Sequence, residues 1–200
     1  MKIMSHLKNQ KRKRRKINSL LYFELILFLL KFFVVDLITI KNRRYLDNYD
    51  SEVHLVVKGS GYQNIKILND AFTPLPYEVI VNGKKDNSCV RACNLNNYNE
   101  ENKIILKFNE TIDSCESMFE GSTNIISVDL SKFDASKVTS MFGMFYQCSS
   151  LKEINFGNID TSSLNNMESL FDLCFSLTTV DLSKFDTSKV TTMSGMFYFC

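Results

Sequence analysis

The chain has 200 residues, 44% hydrophobic and 23% charged, with a formal net charge of +2 at pH 7; this composition fits a folded protein and argues against a disordered one. The charge is unevenly divided: residues 1–16 hold eight Lys/Arg and no acid, whereas residues 41–200 hold 15 basic and 20 acidic residues. A net acidic folded part excludes nucleic acid as its partner, because neutralising phosphates needs clustered Lys and Arg.

In chain order, residues 1–16 form a basic tail that ends in the run Lys11 to Lys16. Ile17 to Ile40 comes next, with 17 residues of the Leu, Ile, Phe and Val types and Glu24 and Asp36 towards its ends. It is long enough to span a bilayer core and predicts a transmembrane helix over 17–40. The basic block lies before it, so the positive-inside rule places the tail in the cytoplasm and the rest of the chain outside the cell. A signal anchor fits better than a cleaved signal peptide, which would make the protein secreted: cleavage needs small residues after the apolar core, and no Ala occurs before Ala71.

Residues 41–51 read as a polar stalk, and 52–111 as a β-rich cap that shields the first core face of the C-terminal part of the chain. Within the cap, His54 to Val57, Glu78 to Val81 and Lys103 to Phe108 have strand patterns. Asn82-Gly83 closes the second as a hairpin turn. Cys89 and Cys93 lie in a polar loop not far before Cys115. Outside the cell two of the three are expected to form a disulfide, with the pairing left open. Asn109-Glu110-Thr111 is an N-glycosylation acceptor sequence.

From Ile112 to Cys200 one pattern returns every 26 residues. Phe119, Phe145, Phe171 and Phe197 share a position, as do Cys115, Met141, Met167 and Met193, and Ser122, Cys148, Cys174 and Cys200. A fixed period of this length signals stacked repeats, each too small to bury its apolar face alone. Val138, Met141, Met144, Phe145 and Cys148 are three or four apart and predict a short helix in each repeat. Ile154 and Phe156 alternate with Glu153 and Asn155 and predict a short strand. Asp134, Asp160 and Asp186, each beside Ser or Thr, are expected to cap the helices rather than bind calcium.

The expected fold is therefore α/β: a leucine-rich-repeat-like solenoid over 112–200 with one strand and one helix per repeat. The β-rich cap and the N-terminal transmembrane or signal segment precede it. The string Val-Asp-Leu-Ser-Lys-Phe-Asp-Ala/Thr-Ser-Lys-Val-Thr-x-Met-x-x-Met-Phe-x-x-Cys at 128–148 and 180–200 resembles the repeat of BspA-like leucine-rich-repeat surface proteins of microbes. The resemblance implies surface display and binding or adhesion, with no catalytic activity attached to the repeat.

The residues themselves point the same way. The only histidines, His6 and His54, lie outside the repeats, which leaves no Ser-His-Asp or Cys-His constellation there. We expect no enzyme, metal or cofactor. The expected function is a cell-surface module that recognises a protein or glycan through an outward column of Ser127, Glu153 and Thr179 and, one pleat on, Asp129, Asn155 and Asp181. The alternative is a coat protein that associates with copies of itself.

Overall fold

Alternation of apolar and polar residues makes β1 (Ser51–Lys58) a central strand, buried at Val53, Leu55 and Val57 and half-buried at Glu52, His54 and Val56. The computed structural model describes residues 51–59, 64–95 and 101–200. On one side β1 pairs antiparallel with β6 (Glu101–Phe108), which pairs with β3 (Glu78–Val81), and β3 turns through Asn82-Gly83 into β4 (Lys84–Lys85). On its other side β1 pairs antiparallel with β7 (Ile125–Lys132), and β7 pairs in parallel with β8 (Glu153–Asn155). The result is a mixed six-stranded sheet, β4-β3-β6-β1-β7-β8. A second small sheet joins β2 (Asn64–Lys66) to β5 (Ala92–Asn94).

The expected α/β leucine-rich-repeat-like solenoid, with a helix in every repeat, is corrected here. The described residues contain strands and turns and no helix, and the dominant element is the mixed sheet. Hydrogen bonding shows why the helical spacing misleads. In an α-helix every N–H donates four residues back along its own chain. Here alternate N–H groups divide between two directions. Met144 and Cys148 donate three residues back, to Met141 and Phe145, at 3.1 and 3.0 Å, while Met141, Gly143, Phe145 and Gln147 donate to the next repeat, at Asn166, Glu168, Leu170 and Asp172. Residues 117, 143, 169 and 195 and residues 121, 147, 173 and 199 all take positive φ, between 53° and 70°. A left-handed residue at every fourth position interrupts a right-handed helix. Successive tight turns nevertheless return side chains to one face every three or four residues, which is the spacing read as helical.

The period of 26 therefore appears as turns in parallel register, with bridges Ser114 to Ser140, Ser140 to Asn166 and Asn166 to Thr192. Phe119, Phe145, Phe171 and Phe197 stack with ring centroids 5.5, 5.7 and 5.3 Å apart. Only the first two repeats contribute strands to the sheet, and residues 179–181 carry no strand. At Gly157 (φ 58°) an added Cβ would stand 2.7 Å from the Cβ and 2.8 Å from the Cα of Ser131, one repeat earlier, so the two backbones approach this closely only without a side chain.

Among the described residues no helix is long and apolar enough to cross a membrane. The predicted basic tail, transmembrane or signal segment and most of the stalk lie outside the described residues. The expectation of a membrane or secreted protein with extracellular repeats is corrected accordingly and is not retained.

Candidate functional site

The strands that cover the core with one face turn the other outward, and their register assembles an extended surface. Glu78, Lys107, Glu52 and Lys132 form one row across β3, β6, β1 and β7. Ile80, Ile105, His54, Asp129 and Asn155 form a second, and Lys103, Val56, Ser127 and Glu153 a third. The first row is an ionic network. Lys85 Nζ lies 2.8 Å from Glu78, Lys107 lies 3.4 Å from Glu78 and 3.7 Å from Glu52, and Lys132 and His54 lie 3.2 and 2.8 Å from Glu52. The hydrogen bond from His54, opposed by partial burial and reinforced by Lys132, holds the Glu52 carboxyl below its ordinary range. These residues are not among the site residues expected from the sequence. The alternation of Glu52 with His54 and of Lys103 with Lys107 is legible there, but only the strand register shows that they share a face with Ser127 and Asp129.

The six predicted residues separate into two kinds. Asp129, Asn155 and Asp181 each accept a hydrogen bond from the backbone N–H two residues on, at Ser131, Gly157 and Ser183, at 2.8, 3.0 and 2.8 Å. They are Asx turns at the same position of each repeat. The Ser183 hydroxyl and N–H hold the Asp181 carboxyl below its ordinary range. Asp134, Asp160 and Asp186 make the same turn, accepting from Ser136, Ser162 and Ser188. With no helix present among the described residues, their expected helix-capping role is corrected to turn-capping.

Ser127, Glu153 and Thr179 make no side-chain hydrogen bond or ion pair among the described residues. Ser127 is half-buried and the other two are exposed. The side chains of this column are bound to nothing among the described residues of their own fold.

The sulfur positions are also defined. Cys89 and Cys93 form the disulfide, and Cys115 is free and buried. Cys148, Cys174 and Cys200 donate to the Phe carbonyls of the preceding repeat, Phe119, Phe145 and Phe171, at 3.1, 3.1 and 2.9 Å. Ser122 does the same one layer earlier, to the carbonyl of Ile67. Burial pushes the Cys174 thiol up to about 12 and raises Cys115 and Cys148 further. A thiol so disfavoured as thiolate is neither nucleophile nor metal ligand at neutral pH. No group of three or more metal-binding side chains occurs among the described residues. Asn109 stands exposed just past β6.

A family described as "Mycoplasma protein of unknown function, DUF285" matches residues 96–200, just over half of the chain. No curated protein and no solved structure matches it.

Proposed function

We propose that this chain, which belongs to the DUF285 family of Mycoplasma proteins of unknown function, is a non-enzymatic binding or adhesion module for a protein or glycan partner. Recognition uses the outer sheet face and its continuation along the repeats. The observation that carries this reading is the column Ser127, Glu153 and Thr179. Its side chains take no part in the hydrogen bonds among the described residues, while the parallel pairing of β7 with β8 holds the Ser127 and Glu153 backbones side by side. Such residues contribute little to stability and are free for a partner. The likeness of 128–148 and 180–200 to BspA-like repeats supports adhesion as the finer reading.

The test is binding of the intact chain to glycan arrays and to cross-linked protein partners, with Glu153→Lys/Thr179→Lys as the comparison. Loss of binding at an unchanged melting temperature is expected. Concentration-dependent self-association that the same pair abolishes, with no other partner bound, would replace this reading with that of a coat protein.

A further inference from the structure

Away from the strand face, the turn segments form a surface of their own with one recess. Its floor is Gly143, and its rims are Ser117 and Ser169, which occupy the same repeat position one layer to each side. Where the layers on either side carry a hydroxymethyl group, Gly143 carries only hydrogen, so the ladder is notched at this layer, and glycine recurs in it at Gly195. Phe142 and Tyr146 also line it, together with Glu120 and Asp172, which share the repeat position of Tyr146 one layer to each side. The cavity is about 300 Å³, at the small end of ligand sites and suited to one side chain rather than an extended molecule.

Its chemistry favours a cation. The turn segments 112–123, 138–149, 164–175 and 190–200 hold five acids and no Lys, Arg or His. Neither Glu120 nor Asp172 forms an ion pair among the described residues, and Lys66, whose Nζ lies near Gly121, makes none with Glu120. Among the described residues Glu120 accepts only from the side-chain amide of Asn69, at 3.3 Å. Asp172 Oδ1 is buried with no hydrogen-bond donor among the described residues. The Asp172 carboxylate accepts no hydrogen bond from its own fold among the described residues, so its more accessible oxygen is open to a ligand that brings N–H groups. Aromatic side chains beside carboxylates suit a flat, delocalised cation, which stacks on a ring while donating at its edge.

We propose that the notch at Gly143 receives an arginine side chain of a partner protein, with its guanidinium against Tyr146 and Phe142 and its N–H groups donating to Asp172. This rests on the binding reading above and narrows the partner to a protein. It is tested with a free probe on another face, so failure here and failure at the strand column are separate results.

The experiment titrates Nα-acetyl-arginine amide into the isotopically labelled intact chain and follows backbone amide shifts. Saturable shifts at Gly143, Tyr146 and Asp172 are expected. Asp172→Asn should weaken binding by about tenfold or more, the range of a lost hydrogen bond to a charged group. Gly143→Ser should abolish it without unfolding. Ser117 and Ser169 already adopt φ 54° and 53°, and the new Cβ would meet Tyr146 at 3.6 Å and Ser117 at 3.8 Å, ordinary contact distances. Melting curves of both variants check that the fold is kept. The proposal is overturned if no saturable shifts appear at these residues or if either variant binds like the parent. Equal binding of the neutral citrulline analogue, or tighter binding of the lysine analogue, would also overturn it.

Discussion

Phe171→Ala tests whether the ring ladder holds the repeats together. The Phe171 side chain is fully buried, with Phe145 5.7 Å away on one side and Phe197 5.3 Å away on the other. Collapse of the neighbouring layers into the void is opposed by the backbone bonds from Phe145 to Leu170 and from Phe171 to Met196, at 3.1 and 2.9 Å. A truncation that cannot relax sits high in the range for Phe→Ala, at about 4–5 kcal/mol. For a domain of this size that is roughly 8–20 °C in melting temperature. Phe197→Ala provides the internal contrast. Its ring is 47% exposed and stacks on one neighbour, so about 1–2 kcal/mol is expected. Lys152→Ala, on the exposed surface, should change stability by less than about 0.5 kcal/mol. The measurement is urea denaturation of the intact chain followed by circular dichroism. Equal losses for Phe171→Ala and Phe197→Ala would refute the ladder as the source of cohesion.

Gly157→Ala should destabilise by about 1–3 kcal/mol or more, since the methyl group meets the Ser131 backbone and the residue keeps φ 58°; a melting temperature matching the parent's would sink the close-approach argument. Glu52→Gln should flatten the acid limb of the stability curve. A depressed carboxyl contributes stability that is present above the ordinary glutamate value and lost as pH falls through the depressed one, so parent and variant should converge at low pH and diverge towards neutrality. In thiol titration of the native chain at pH 8, Cys200 should react first. Cys115, Cys148 and Cys174 should react only on unfolding, because burial holds their thiols protonated; prompt labelling of Cys174 would contradict its packing.

Strand content is legible in the sequence where alternation is strict. Glu78–Val81 has the boundaries its pattern predicts, and Asn82-Gly83 closes the hairpin to Lys84–Lys85 as its turn chemistry requires. The buried columns of Phe, Met and Cys are legible too, because a fixed offset reports packing whatever the backbone between. The backbone itself is not. Gaps of three and four arise from an α-helix and equally from consecutive turns with a left-handed residue at every fourth place. Gly121, Gly143 and Gly195 mark three such places, but Ser117, Ser169, Gln147, Leu173 and Phe199 adopt the same conformation without a glycine to announce it. The outer face is only half legible, because Glu52 and Lys107 become neighbours of Asp129 through pairings between distant segments.

The repeats themselves show which outward residues are committed to the fold. The column 134, 160, 186 is Asp throughout, and 129, 155, 181 is Asp, Asn, Asp; in every case the side chain accepts from the N–H two residues on. The column 114, 140, 166 is Ser, Ser, Asn and makes the same turn with Glu116, Phe142 and Glu168. A position whose side chain closes a turn tolerates only the few residue types that can do so, and these three columns stay within that set. The column 127, 153, 179 reads Ser, Glu, Thr, and 120, 146, 172, 198 reads Glu, Tyr, Asp, Tyr. No single local bond is common to either series, so the turn frame leaves these positions free to differ. They include the unbonded strand-face column and, at Glu120, Tyr146 and Asp172, the lining of the Gly143 notch, where chemistry that differs from layer to layer is what a partner can read.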